Sequence, residues 1–154
     1  MSHKEIVRHK DRLDHLFRQV TMLPPNNFEL QSHWARYLCV LVSGFLEKSI
    51  HVILTEIAQQ QSAPNIANYV GNKVRDLQNP KMEKILELLG YFNSDWSQRV
   101  RQATDGEIRE AVDSIVNNRN QIAHGESVGI SFLRVSEYYN KVITAIDIIE
   151  REYR

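Results

Sequence analysis

The sequence predicts an all-α protein, an up-and-down helical bundle of five to seven helices in a single domain. Three observations predict this fold. The chain has 154 residues, which is the length of one ordinary domain. It contains only 6 Gly and 4 Pro, too few for a loop-rich all-β fold. Apolar residues recur at helical spacing along nearly the whole chain.

The first half of the chain is predicted to contain two strong helices. One spans residues 1–22 and ends before Pro24-Pro25, because proline lacks an amide donor and restricts the residue before it. The other spans residues 28–61. Between residues 38 and 46 it is apolar on all sides, which is typical of a central helix buried by its neighbours.

Shorter helices are predicted to follow the long one. A weaker helix is expected over residues 65–78, and another starts at Asn79-Pro80. Residues 90–94 are predicted to form a turn, followed by a short helical piece around residues 96–100.

The last two predicted helices span residues 104–125 and 131–154. Thr104 is the expected N-cap of the first, with Glu107 as its capping-box partner, and Gly125 is the expected stop. The residues predicted to face the core are Ile108, Val112, Ile115, Val116, Ile122 and Ala123 in the first helix, and Leu133, Val135, Tyr138, Val142, Ile146 and Ile149 in the second.

Composition excludes several classes of protein. Nineteen basic and nineteen acidic residues give zero net charge, which argues against a nucleic-acid binder driven by whole-molecule charge. The single cysteine, Cys39, excludes an internal disulfide and is interpreted as an inert core thiol. The most apolar stretch, residues 37–46, is too short to span a membrane, so we expect a cytoplasmic protein without membrane association.

Common catalytic motifs are absent from the sequence. It has no GxxxxGK[ST] loop and no GxGxxG turn, and Ser43 lacks the preceding glycine of a nucleophile elbow. None of the 6 histidines forms HxxxH or HExxH. We therefore predict neither a metal site nor a cofactor.

One polar cluster stands out. Asparagines 117, 118 and 120, with Arg119 and Gln121, crowd the end of an otherwise amphipathic helix that finishes at His124-Gly125. The C-terminal end of a helix favours a protonated histidine, and the arginine fork matches two phosphate oxygens. In a straight helix Arg119 and His124 point about 140° apart and about 7.5 Å along the axis. They converge only if the helix loosens at His124 or if a twofold axis brings up a second copy.

Arginine, histidine and an amide suffice for metal-free RNA cleavage. Histidine would deprotonate the ribose 2′-hydroxyl or protonate the leaving 5′-oxygen, while arginine stabilises the charge on the phosphoryl oxygens. Asn120 lies one turn before His124 and could orient its ring or bind substrate. Arg8 and His15 are also an arginine and a histidine a few residues apart, but they lie in a helix without a polar cluster. We interpret this second pair as a chance match.

The segment Asn118-Arg119-Asn120-Gln121-Ile122-Ala123-His124-Gly125 resembles the R-x4-6-H motif of the HEPN superfamily, and residues 35–48 are similar to the central helix of RiboL-PSP-type HEPN proteins. This resemblance covers residues 28–152. It implies a homodimer with paired motifs at the interface, an RNA substrate, and metal-independent endoribonuclease activity that leaves 2′,3′-cyclic phosphate ends. Arg119 and His124 would be catalytic, with Asn120 assisting.

The resemblance also implies a biological setting. Such proteins often act as toxins or in defence, so an antitoxin or regulatory protein partner is expected. Some HEPN toxins carry a modified tyrosine two residues after the histidine, where this chain has Glu126, so neutralisation by that modification is not supported.

Other interpretations stay open. Arg119 could be a surface arginine and His124 part of a capped helix end. Asn117 and Asn118 could serve helix-end hydrogen bonding, and Asn117 could instead support substrate binding. Glu47 interrupts the buried central helix, so it should pair with an arginine or lie near the active cleft. The alternative functions are a non-catalytic HEPN-like module that binds nucleotide, RNA or a protein partner, and a purely structural helical dimer.

Overall fold

The computed structural model describes residues 3–126 and 128–154. These residues form seven α-helices and no β-strand, so the predicted all-α bundle is confirmed at the upper limit of the predicted helix number. The helices are α1 (Lys4–Thr21), α2 (Phe28–Gln61), α3 (Pro64–Arg75), α4 (Met82–Phe92), α5 (Ser94–Thr104), α6 (Glu107–Ala123) and α7 (Phe132–Arg151).

Helix α2 is the central element of the bundle. It packs against α1, α3, α6 and α7, and its buried side chains run from Ala35 to Ala58. Among the described helices it is the one long and apolar enough to cross a membrane, yet 56% of that apolar window is buried inside the bundle. Burial by neighbouring helices accounts for its apolar composition, as in the core helix of a soluble protein.

Contacts between side chains fix the direction of each helix. The Phe45 and Tyr139 rings lie 6.1 Å apart, and Gln61 donates to the Tyr153 hydroxyl at 2.6 Å, so α2 and α7 run in the same direction. Helix α1 runs opposite to them, because His3 at its start contacts Glu56 near the end of α2.

Helix α6 is antiparallel to both α2 and α7. Its first residue, Glu107, pairs with Lys141 at 3.2 Å, whereas Asn118 and Gln121 in its last turns line a groove with Arg134 at the start of α7. The last turn of α6 and the first turns of α2 and α7 therefore share one end of the bundle. We call it the motif end.

Two predicted boundaries are wrong. Thr104 is the last residue of α5, where its hydroxyl donates to the Val100 carbonyl at 2.8 Å, so it does not cap α6. The chain turns instead at Gly106, whose φ of 91° favours glycine, and α6 starts after it. The turn predicted over residues 90–94 shrinks to Asn93, because α4 continues to Phe92 and Asn93 caps α5.

The predicted core faces of α6 and α7 are mostly buried, with two exceptions. Leu133 is 70% exposed, and Ala123 is also exposed. Both residues lie at helix ends, where the neighbouring helices no longer cover them. Three further predicted core residues are half-buried against the core, namely Ile108, Ile122 and Tyr138.

Two side chains hold the segment between α3 and α4. The Nε2 atom of His51 in α2 donates to the Leu77 carbonyl at 3.0 Å. The Oδ1 atom of Asp113 in α6 accepts from the Met82 amide at 2.8 Å, and so satisfies an orphan amide at the start of α4.

Candidate functional site

The polar cluster lies where α6 stops. His124 is the C-cap, and Gly125 follows with φ 76°. The Gly125 amide donates to the Ile122 carbonyl at 3.0 Å, and the Glu126 amide donates to the Gln121 carbonyl at 2.9 Å. This pair of bonds is a Schellman motif, which requires a left-handed residue at the glycine position. The prediction that Gly125 ends the helix is confirmed.

Arg119 is half-buried in the penultimate turn of α6. Its guanidinium donates to the Oδ1 atom of the adjacent Asn120 at 3.4 Å. No carboxylate in the described part of the chain forms an ion pair with it. A half-buried guanidinium with one long hydrogen bond to a neutral neighbour keeps most of its five donors for another acceptor.

His124 is exposed at the tip of the same helix. Its backbone amide donates to the Asn120 carbonyl at 3.1 Å, so the helical hydrogen bonds continue up to it. Helix α6 does not loosen before His124, which removes one of the two ways in which Arg119 and His124 could converge. The two side chains of one protomer leave the helix in directions about 140° apart.

The three asparagines behave differently. Asn117 is exposed, and Asn118 donates to the Ser114 carbonyl at 2.7 Å, as expected of helix-end hydrogen bonding. The side chain of Asn120 contacts Arg119, and within residues 3–126 and 128–154 it forms no hydrogen bond to the His124 ring. Its position therefore fits orientation of the arginine better than orientation of the imidazole.

Next to the cluster lies a groove of about 480 Å³ that the sequence did not predict. Its lining includes Asn118 and Gln121 from α6, and Arg134 and Tyr138 from α7. The Arg134 guanidinium carbon lies 6.0 Å from the centre of the Tyr138 ring. The signal that could have revealed it is the short sequence separation between α6 and α7. Helices joined by few residues are antiparallel neighbours, so polar residues on their facing turns must meet.

Glu47 lies elsewhere. Its Oε2 atom accepts from the Asn79 amide at 2.7 Å, in the left-handed backbone at φ 46° that precedes α4. The predicted ion pair between Glu47 and an arginine is therefore wrong for the described residues. The alternative position near the active cleft is not favoured, because α6 runs antiparallel to α2 and its motif lies away from Glu47. We call Glu47, His51 and Asp113 together the loop clamp.

The single thiol does not contribute chemistry. Cys39 is fully buried, and its Sγ atom lies 3.6 Å from the Ile115 carbonyl oxygen. Burial raises the pKa of Cys39 to about 12, so the thiolate that a nucleophile needs is absent at neutral pH. This agrees with the interpretation of Cys39 as a core thiol.

The fold and the site together define a class of protein: an all-α bundle in which Arg-x4-His closes one helix beside a polar groove. The chain matches the RiboL-PSP-HEPN family over residues 4–153, nearly its whole length. It therefore belongs to that family. Neither the comparison with curated proteins nor that with solved structures found a match.

Proposed function

We propose that the protein is a metal-independent endoribonuclease of HEPN type whose active site forms from the motif ends of two copies. The observation that carries this proposal is the availability of the cluster: Arg119 has no acidic partner among the described residues, and His124 is exposed at the same helix end. The adjacent groove, with its amides and an arginine, offers room for the nucleotides beside a scissile bond.

The chemistry would need no protein nucleophile. The ribose 2′-oxygen attacks phosphorus and loses its proton to one imidazole, the phosphorus–O5′ bond breaks, and a protonated imidazole gives its proton to the departing O5′. Arg119 would stabilise the charge on the non-bridging oxygens. The products are a 2′,3′-cyclic phosphate and a free 5′-hydroxyl. A twofold axis would supply the second imidazole.

The decisive experiment is RNA cleavage by the purified protein in EDTA, with analysis of the product ends. We expect cyclic phosphate ends, and loss of cleavage in His124→Ala and in Arg119→Ala. Arg8→Ala and His15→Ala are matched controls, because these exposed residues have similar spacing on α1. Cleavage that persists in both motif variants would refute the mechanism.

The homodimer needs its own test. Ala123 is exposed beside His124, and Ala103 is an exposed alanine on α5. Because the native thiol is buried, a single added cysteine is the only reactive one. If two motif ends meet, Ala123→Cys should form a disulfide-linked dimer under mild oxidation, whereas Ala103→Cys should not. Equal cross-linking of the two variants would contradict the proposed interface.

The proposed biological role is that of a cytoplasmic toxin or defence nuclease restrained by an antitoxin or regulatory protein. Induced expression in bacterial cells should then arrest growth, and expression of His124→Ala to the same level should not. Growth arrest by both proteins would argue against RNA cleavage as its cause.

The alternative is a non-catalytic helical module of the same family that binds nucleotide or RNA, or a protein partner, at the motif end. The zero net charge, which gives no long-range attraction for RNA, favours the form of this alternative that binds a protein partner. Its signature would be RNA binding that survives His124→Ala, with no cleavage by the unmodified protein.

A further inference from the structure

A second concave site lies at the end of the bundle opposite to the motif end. It is a cleft of about 580 Å³ between α3, α4 and the last turn of α2. We call it the α3–α4 cleft; the residues that carry the argument are Gln61, Tyr69, Lys73, Tyr91, Asn93 and Tyr153. Its volume lies within the range of pockets that hold small molecules and cofactors. The length of α2 places it roughly 40 Å from the motif end.

The cleft stays open because of how α3 is attached. Helix α3 packs on α2, through Ala67, Gly71 and Val74, and has no comparable contact with another described helix. Tyr69 on α3 and Tyr91 on α4 are 63% and 75% exposed. Two large aromatic side chains at the rim of one cavity, each contributing little to the core, are unusual for a fold-stabilising role.

The charged side chains that line the cleft are basic. They are Lys73 and Arg154, and no acidic side chain of the described residues lines it. The Arg154 guanidinium lies 3.8 Å from the Glu152 carboxylate, so Lys73 is the cation that we assign to a ligand. The Lys73 Nζ atom lies 5.6 Å from the centre of the Tyr69 ring, which holds the cation beside the aromatic face. At the aromatic rim, Glu87 accepts from the Tyr91 hydroxyl at 2.8 Å, which orients that ring. The lining therefore favours an anionic ligand.

Two side-chain amides of the lining offer an acceptor and a donor. Gln61 donates to the Tyr153 hydroxyl at 2.6 Å, which leaves its carbonyl oxygen as an acceptor. The Asn93 carbonyl oxygen caps α5 by accepting from the Trp96 amide at 3.0 Å, which leaves its amide hydrogens as donors. The two amides thus give the cleft a hydrogen-bond acceptor and a hydrogen-bond donor for the polar edge of a ligand.

We propose that the α3–α4 cleft binds a nucleotide, with the base against the Tyr69 and Tyr91 rings and the phosphate at Lys73. Stacking on tyrosine, a cation for the phosphate, and side-chain amides for the base edge are the elements that such ligands use. The site is separate from Arg119 and His124, so it does not depend on the nuclease proposal. The same chemistry is offered by a free nucleotide and by one nucleotide of an RNA strand.

The test is calorimetric titration of the full chain with AMP, with adenosine and with inorganic phosphate. We expect AMP to bind, and both Tyr69→Ala and Lys73→Glu to weaken its binding at least tenfold. Tyr37→Ala and Lys84→Glu are matched controls, because they remove an exposed tyrosine and reverse an exposed lysine outside the cleft. Arg119→Ala should also leave AMP binding unchanged.

A second arm uses a short 5′-phosphorylated single-stranded RNA with the His124→Ala protein, which keeps the RNA intact if the chain is a nuclease. Binding of RNA but not AMP, lost on adding Tyr69→Ala, would identify a strand as the source of the nucleotide. Phosphate binding as tightly as AMP would overturn the base contact. Binding of neither AMP nor RNA, or binding indifferent to Tyr69→Ala and Lys73→Glu, would overturn the proposal. Absence of RNA cleavage would not affect it.

Discussion

Two polar clusters in this bundle contain similar residues and are used differently. Each side chain of the loop clamp, formed by Glu47, His51 and Asp113, bonds a backbone group between Leu77 and the first residue of α4, at 2.7 to 3.0 Å. At the motif end, Arg119 contacts no polar side chain of the described residues except that of its neighbour Asn120, and His124 is exposed. Polar groups that hold a fold are paired across elements, whereas polar groups kept for a ligand are left unpaired.

The largest expected effect is a loss of RNA cleavage without a loss of stability at the motif end. Arg119→Ala and His124→Ala should each lower RNA cleavage at least about a hundredfold, because each removes a group that acts on the reacting atoms. Both variants should stay within about 0.5 kcal/mol of the unmodified protein in free energy of unfolding, since neither side chain supports another element. Urea denaturation and initial cleavage rates measure the two quantities. A clearly lower free energy of unfolding in either variant would indicate that the cluster has a structural role.

Glu47→Ala should give the reverse result. It leaves the Asn79 amide without its charged acceptor, in a segment with a left-handed residue, and should cost about 1–3 kcal/mol of stability. Cleavage measured well below the unfolding transition should be unchanged. Glu56→Ala, on the same helix, is not a clean control because Glu56 contacts His3, so exposed Gln59→Ala is used. Loss of RNA cleavage by a Glu47→Ala protein that is still folded would indicate that Glu47 belongs to the active site.

Gly125→Ala, at the motif end, should change both stability and RNA cleavage. An alanine at φ 76° should cost about 1–2 kcal/mol and shift the backbone that holds His124, although no atom obstructs its Cβ. Gly44→Ala is the control, because that exposed glycine also has open space, lacks a positive φ and lies outside the groove. We expect lower stability and slower cleavage only in Gly125→Ala. Equal effects of the two substitutions would show that the helix stop is not required.

The smallest predicted effect is a pH dependence outside both clusters. Burial lowers the pKa of His9, with a further contribution from Arg12 and Lys48, and its ring lies 5.1 Å from the Phe45 ring. The unfolded chain then takes up a proton near pH 6.5 more readily than the folded chain. The contribution of His9 to the free energy of unfolding should therefore be fully present above that pH and be lost as the pH falls below it.

The measurement is the free energy of unfolding at pH 7.5 and at pH 5.5. His9→Gln should lose less stability on acidification than the unmodified protein, whereas His15→Gln, at an exposed position, should lose as much. This pair also separates acid effects on folding from acid effects on cleavage. An identical loss in all three proteins would remove His9 as the cause.

The sequence predicted the helices well because apolar periodicity and two kinds of breaker, proline and the glycine at 125, mark them directly. It failed at Thr104, where a threonine in a capping pattern instead bonds back to its own helix and Gly106 makes the turn. Nothing local distinguishes these two outcomes, since the choice depends on where α5 packs.

The site was predictable only in part. Arg119, Asn120 and His124 share one stretch of sequence, so their proximity follows from one helix end. The groove residues Arg134 and Tyr138, and the loop-clamp role of Glu47, depend on which helices lie side by side. Contacts between distant segments leave no pattern in the residues themselves, and periodicity therefore could not reveal them.

Helix α2 also sets a distance. It runs for 34 residues as one helix, and no proline interrupts it. A rod of this kind bends little, so the opposite poles of the molecule keep a constant spacing of roughly 40 Å. If one RNA strand occupies both the motif end and the α3–α4 cleft, it must be long enough to bridge that span. On these two proposals the protein would retain long strands in preference to short ones.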